Sequence, residues 1–123
     1  QADCLAARHA AIGEQLAQGR LPVLMGGDHQ LAVGSISAVA RHCQAQGKRL
    51  RVLWLDAHAD LQAPATSPSG AFHGMVVRAL LGEVPTGLAL DPPLPADRVL
   101  LAGTREFDPE EEAFAPASGI TQI

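Results

Sequence analysis

Two short clusters carry most of the ionisable side chains that could do chemistry in this 123-residue chain. The first is Gly26-Gly27-Asp28-His29 and the second is Asp56-Ala57-His58-Ala59-Asp60. In an extended segment alternate side chains point the same way. Asp56, His58 and Asp60 are therefore expected to converge on one side, with Ala57 and Ala59 kept small on the other. Two carboxylates and an imidazole suit a divalent ion such as Mn²⁺, and His29 from a neighbouring loop adds a nitrogen. One carboxylate, Asp56 by preference, can bridge two ions, and a two-ion site can activate hydroxide. A lone His or Asp at a strand end is more often solvated or capping than ligating. Three ionisable groups within five residues, directly after Val-Leu-Trp-Leu, are another matter, because burying them without a counter-ion is costly.

The elements that must position these clusters can be read from periodicity. Residues 3–18 read as a helix, with Leu5, Ile12 and Leu16 near helical spacing and Gly19 as its stop. Pro22 to Met25 is a short apolar run of the right length for a buried strand, ended by Gly26-Gly27. A second helix is expected over 31–44, closing near Gly47. Leu50 to Leu55 is the clearest strand, and its nearly continuous apolar run suits a parallel strand covered on both faces. A loop follows over 62–70, then a third helix from Gly74 to Gly82. The proline-rich stretch 85–95 reads as a surface connection, and 98–102 as a further strand. Asp108-Pro109-Glu110-Glu111 looks like a helix start, with Asp108 as N-cap and Pro109 at the first helical position. Ile120 to Ile123 reads as the opening of another strand. This alternation predicts an α/β fold with three α-β-α layers and a mainly parallel sheet. Both clusters then fall at the carboxyl edge of the strands, where open α/β sheets bind ligands.

Composition narrows the partners. A formal net charge of −4 argues against a general nucleic-acid binder. No apolar run approaches the roughly 20 residues a membrane helix needs. The N-terminus is polar and reads as an amphipathic helix, with no signal peptide visible. The two cysteines, Cys4 and Cys43, lie far apart without CxxC spacing. They read as ordinary thiols in a reducing compartment, hence a cytoplasmic location.

Taken together, the motifs resemble the manganese-dependent arginase (ureohydrolase) family. Gly26-Gly27-Asp28-His29, Gly34-Ser35-Ile36-Ser37, Asp56-Ala57-His58-Ala59-Asp60, Thr66-Ser67-Pro68-Ser69-Gly70 and His73-Gly74-Met75 follow that pattern in order and at similar spacing. Gly103-Thr104-Arg105-Glu106-Phe107-Asp108-Pro109 extends the match over nearly the whole chain. The Thr-Ser-Pro-Ser-Gly loop with His-Gly-Met looks most like bacterial arginases. The resemblance implies an arginase/deacetylase-like fold. It makes His29, Asp56 and Asp60 ligands of the more exposed of two Mn²⁺ ions, Asp56 the bridge, and His58 a ligand of the second. His73 is implied as the proton shuttle, and with Asp60 makes up the catalytic candidates. Ser69, Asp108 and Gln62 are implied at the amino-acid end of the substrate. The implied reaction is hydrolysis of L-arginine to L-ornithine and urea by hydroxide held between the ions. The implied assembly is a homo-oligomer, a trimer or hexamer.

The sequence departs from the family pattern in two ways. Gln62 and Ala71 stand where arginases usually place Asn. Family members are also much longer, and their later metal-ligating Asp-x-Asp pair has no counterpart before Ile123. Residues 1–123 are therefore expected to be a single partial α/β domain that alone binds Mn²⁺ weakly and has little activity. Three other readings stand beside an arginase. One is another ureohydrolase acting on agmatine, guanidinobutyrate or formiminoglutamate. Another is a non-catalytic binding module on the same fold. Deacetylases of this general fold fit less well.

Overall fold

The computed structural model describes residues 2–84 and 87–123. In the described residues two helices lead and strands and helices then alternate: α1 Ala2–Ala17, α2 Leu31–Ala45, β1 Val52–Leu55, α3 Val76–Leu80, β2 Val99–Ala102, α4 Pro109–Ser118 and β3 Thr121–Gln122. The strands form one sheet in the order β1-β2-β3, parallel throughout, with Val52 opposite Val99 and Trp54 opposite Leu101. The α/β architecture with a parallel sheet is the one the alternation predicts.

Helix ends follow local chemistry. Gly19 takes φ 71°, and the Arg20 N–H returns to the Gln15 carbonyl at 3.0 Å, closing α1. Gly47 at φ 67° does the same for α2, with the Lys48 N–H on the Cys43 carbonyl at 2.8 Å. Both are the left-handed C-terminal caps that glycine adopts at low cost. The third helix starts earlier than expected, as a 3₁₀ turn over Phe72–Met75 that passes into α3.

Val52, Trp54, Val99 and Leu101 point to the same side of the sheet and join Leu5, Val33, Val77 and Ala115 in one core. The opposite face of β1 is open, with Leu53 54% and Leu55 74% exposed. Coverage of β1 is therefore seen on one face within residues 1–123. Side chains alternate along a strand, and among the described residues only one face of β1 has helices packed on it. The expected strand at Pro22–Met25 is corrected for a related reason. A strand exists only when its backbone N–H and C=O groups find a ladder, and this run has no ladder partner among the described residues. Leu21 and Met25 are each 89% exposed.

The stretch 85–95 is also more than a surface connection. Pro85 and Thr86 lie outside the described residues. Further on, the Leu90 and Leu94 N–H groups donate to the carbonyls of Ala79 and Leu80, each at 2.8 Å, and both side chains are buried. The last carbonyls of a helix lack a partner from the next turn; here Val77, Arg78 and Ala79 accept from Leu81, Glu83 and Gly82, and this segment adds a second donor to Ala79 and supplies one to Leu80.

Helix α1 lies against α2 where Gly34 meets the backbone. A Cβ at Gly34 would sit 2.8 Å from the Leu5 carbonyl oxygen and 3.2 Å from the Arg8 Cβ. Gly34→Ala is expected to destabilise the fold by about 1–3 kcal/mol, the usual range for overpacking, because the obstacle is backbone and cannot rotate away. Urea unfolding of the variant beside the wild type measures this, and an unchanged midpoint would contradict it.

Candidate metal centre

The carboxyl ends of β1 and β2 carry the cluster. Beyond Leu55 the pairing continues. The Asp56 N–H donates to the Ala102 carbonyl at 3.3 Å, and His58 bridges Glu106 in parallel. The Arg105 and Glu106 N–H groups both reach the Ala57 carbonyl, at 2.9 and 3.0 Å, and the Thr104 hydroxyl donates to the Asp56 carbonyl at 3.1 Å. The loop after β2 thus holds the backbone of Asp56 and Ala57 in place.

Asp60 departs from the extended path. It takes φ 51°, the left-handed region that few non-glycine residues adopt and that Asp tolerates better than most. Its carbonyl accepts the Val77 N–H at 3.0 Å, at the start of α3. The expected alternation holds for Asp56 and His58, but Asp60 joins the cluster through this turn.

His29 precedes α2, and Asp28 fixes the entry by accepting the Gln30 N–H at 2.9 Å. The His29 ring stands edge-on to Trp54, with centroids 5.5 Å apart. Its Nδ1 lies 2.6 Å from Asp60 Oδ2 and 3.2 Å from Asp56 Oδ2. Ligand-type atoms of His29, Asp56 and Asp60 all fall within 4.8 Å of one another, a candidate metal-holding group. His58 stands outside this trio. Its Nδ1 is 3.5 Å from Asp56 Oδ1, and its Nε2 is 3.3 Å from Glu106 Oε2. Asp56 therefore turns one oxygen towards each histidine.

Electrostatics follow from this crowding. Burial pushes the Asp60 carboxyl above its usual range, against the opposing effect of its hydrogen bond to His29. That same hydrogen bond, aided by the charges of Asp60, Asp56 and Asp28, raises the His29 imidazole despite partial burial. Two carboxylates and an imidazole sharing one spot are a donor set that fits a divalent cation.

A cavity of about 300 Å³ opens over this cluster. His29, His58, Asp60, Gln62, Ser69, His73 and Asp108 all line it, so every sequence-derived site residue except Asp56 meets there. His73 is exposed on the 3₁₀ turn. The Ser69 hydroxyl accepts the Ala71 N–H at 3.2 Å. Gln62 is buried and its amide is engaged. Nε2 donates to Asp108 Oδ2, and Oε1 accepts from the Thr66 hydroxyl at 3.1 Å.

Two residues at this site were not singled out as functional from sequence. Glu106 lies in the Gly103–Pro109 segment of the family pattern, but it meets His58 only because β1 and β2 extend in register. Glu111 lines the same cavity and accepts the Asp108 N–H at 3.0 Å. The spacing Asp108-x-x-Glu111 is a capping-box signature that could have found it.

A parallel α/β sheet with an acidic and histidine-bearing cluster beyond its carboxyl edge defines an α/β protein with a candidate divalent-metal centre. The particular family is set by comparison with known proteins. The model of the Arginase family matches residues 1–123, and the chain belongs to that family. It is 38% identical over 115 residues to the arginase of Bacillus caldovelox, covering 90% of this chain and 37% of that protein. It is 39% identical over 105 residues to an arginase of Staphylococcus aureus, covering 84% and 33%. A crystal structure of arginase from Bacillus cereus superposes with a TM-score of 0.91 at 34% identity, over 99% of this chain and 42% of that one. The chain thus spans about a third to two fifths of the length of these relatives.

Asp60→Asn tests the cluster directly. Asn tolerates the left-handed turn as Asp does, and it removes a charge that burial disfavours. The thermal midpoint of the metal-free full-length protein is expected to hold or rise. Affinity for Mn²⁺ is expected to fall by at least roughly tenfold, the scale on which even outer partners of metal ligands act. Thermal midpoints with and without Mn²⁺ measure both effects. A variant that keeps the full Mn²⁺-induced rise would rule Asp60 out as a ligand.

Proposed function

We propose that the full-length protein is a manganese-dependent hydrolase of the arginase type, converting L-arginine to L-ornithine and urea. The observation that carries this reading is Asp56. Its carboxylate lies between His29 and His58, with Asp60 on the His29 side. A carboxylate that turns one oxygen towards each of two histidines suits a bridge between two ions. Family membership over the whole chain supports the same reading.

In this reading His29, Asp56 and Asp60 hold one Mn²⁺, and Asp56 and His58 contribute to the second. Mn²⁺ held there supplies Lewis acidity and makes hydroxide available from water at neutral pH. The chain's own residues do the rest. The carboxylate-rich floor attracts the guanidinium cation of the substrate. His73, exposed at the cavity rim, relays a proton to the departing amine, the general-acid role that histidine most often fills. Ser69 and Asp108 hold the amino-acid end, with Asp108 near the α-amino group. Gln62 fixes Asp108 from behind through its amide. We also infer that residues 1–123 form part of one α/β domain, in keeping with their single core. The protein is read as cytoplasmic, in line with two free cysteines, and as a homo-oligomer, a trimer or hexamer. No helix among the described residues is long and apolar enough to cross a membrane.

A second reading, another ureohydrolase such as one acting on agmatine, rests on the substrate side. The Gln62 amide is engaged within the protein, and Ala71 offers no side-chain donor. The two readings part on the substrate carboxylate, which agmatine lacks. Urea release from L-arginine and agmatine, side by side after incubation with Mn²⁺, separates them. Urea from arginine and little from agmatine is the expected result. The reverse would replace the arginase reading with the second, and no urea from either, with Mn²⁺ bound, would sink the arginase reading and leave a different substrate or a non-catalytic module.

A further inference from the structure

Glu111 is a buried acid outside the metal-holding cluster, only 5% exposed. A buried carboxylate is costly unless its oxygens are hydrogen-bonded, and here both are. Oε1 accepts the Leu61 N–H at 2.8 Å, and Oε2 accepts the Asp108 N–H at 3.0 Å. Glu111 also sits in the first turn of α4, where the helix dipole favours negative charge. The Asp108 bond alone would make an ordinary capping box. The Leu61 bond is not part of any cap, because it reaches 50 residues back along the chain.

What that second bond joins is decisive. Leu61 lies between Asp60, in the candidate metal cluster, and Gln62, whose amide donates to Asp108. One carboxylate therefore grips the loop that carries the metal side and the helix start that carries the substrate side. We propose that Glu111 is a positioning residue, a clamp that sets the spacing between the Asp60–Gln62 loop and Asp108. This rests on the reading that Asp60 holds metal and Asp108 holds substrate. Hydrogen bonds from backbone amides to an ionised carboxylate are roughly twice as strong as neutral ones. In this role Glu111 acts through the backbone amides of Leu61 and Asp108.

Glu111→Gln keeps the volume but presents an NH₂ group to one of two N–H donors, so one arm of the clamp must break. Glu111→Asp keeps two acceptors on a shorter arm and is the second variant, should the first fold poorly. Three quantities are read on the full-length protein: amide hydrogen exchange, Mn²⁺ affinity, and KM against kcat for L-arginine. In the wild type the Leu61 and Asp108 amides are expected to be protected. In either variant at least one of them exchanges roughly tenfold faster or more, while the distant Lys48 amide is unchanged. KM is expected to rise roughly tenfold with a smaller fall in kcat, and Mn²⁺ affinity to weaken several-fold, as positioning losses do.

Unprotected Leu61 and Asp108 amides in the wild type would overturn the clamp. A lower thermal midpoint with KM and Mn²⁺ affinity unchanged would reduce Glu111 to a helix cap and overturn the proposal as well. A wild type that binds Mn²⁺ but releases no urea from arginine sinks the substrate reading alone. The Mn²⁺ affinity of the variants then still decides the clamp.

Discussion

Asp60 occupies a backbone conformation that a carboxylate-bearing residue seldom takes, and much of the site hangs on it. Its φ of 51° turns the chain away from the direction of β1 and into the buried Leu61–Gln62 segment. The turn costs on the order of 1 kcal/mol for a non-glycine residue. It persists because both sides are held. The Asp60 carbonyl receives the N–H of Val77 in the first turn of α3, and Glu111 receives the N–H of Leu61. Leu61, Val76, Val77 and Leu80 then fill the core beneath, fully out of water. A strained residue above a dense core is a stable way to aim a side chain, since the core cannot yield without opening cavities.

Aiming brings its own electrostatic problem. Two carboxylates, Asp56 and Asp60, face one imidazole in a partly dry spot. Burial disfavours the charged form of Asp60, while the hydrogen bond to His29 favours it. His29 is drawn towards its charged form by the same neighbours. A proton and a divalent cation therefore compete for the same negative charge, and metal binding to such a set releases protons. The frustration is local. It sits at the carboxyl edge of a parallel sheet, where the strands end and side chains face the cavity rather than the core.

Much of this was legible in the sequence. The helical runs, the β1 and β2 strands and the Asp108 helix start were visible as periodicity and capping signals, because those depend on neighbouring residues. The clustering of His29, Asp56 and Asp60 could be anticipated because three ionisable groups beside an apolar strand need an explanation. Other features were not legible. The run Pro22–Met25 has a strand's composition, yet a strand also needs a partner, which composition does not specify. The Leu50–Leu55 run reads as apolar on both faces, and only the packing disclosed which face residues 1–123 themselves cover. The docking of Leu90 and Leu94 on α3 came from a stretch whose prolines suggested only a surface loop.

The sequence by itself determined the chemical inventory and its order: which residues could hold a divalent ion, which elements would carry them, and the family pattern they follow. Those are properties of residue type and local spacing. The tertiary structure decided how the inventory is arranged. It placed His58 outside the trio that His29, Asp56 and Asp60 make, brought Glu106 to His58, and put both oxygens of Glu111 to use. The physical reason is that each of those contacts joins segments whose separation is fixed by strand register, a left-handed turn and core packing. None of these is encoded at the position where its effect is felt.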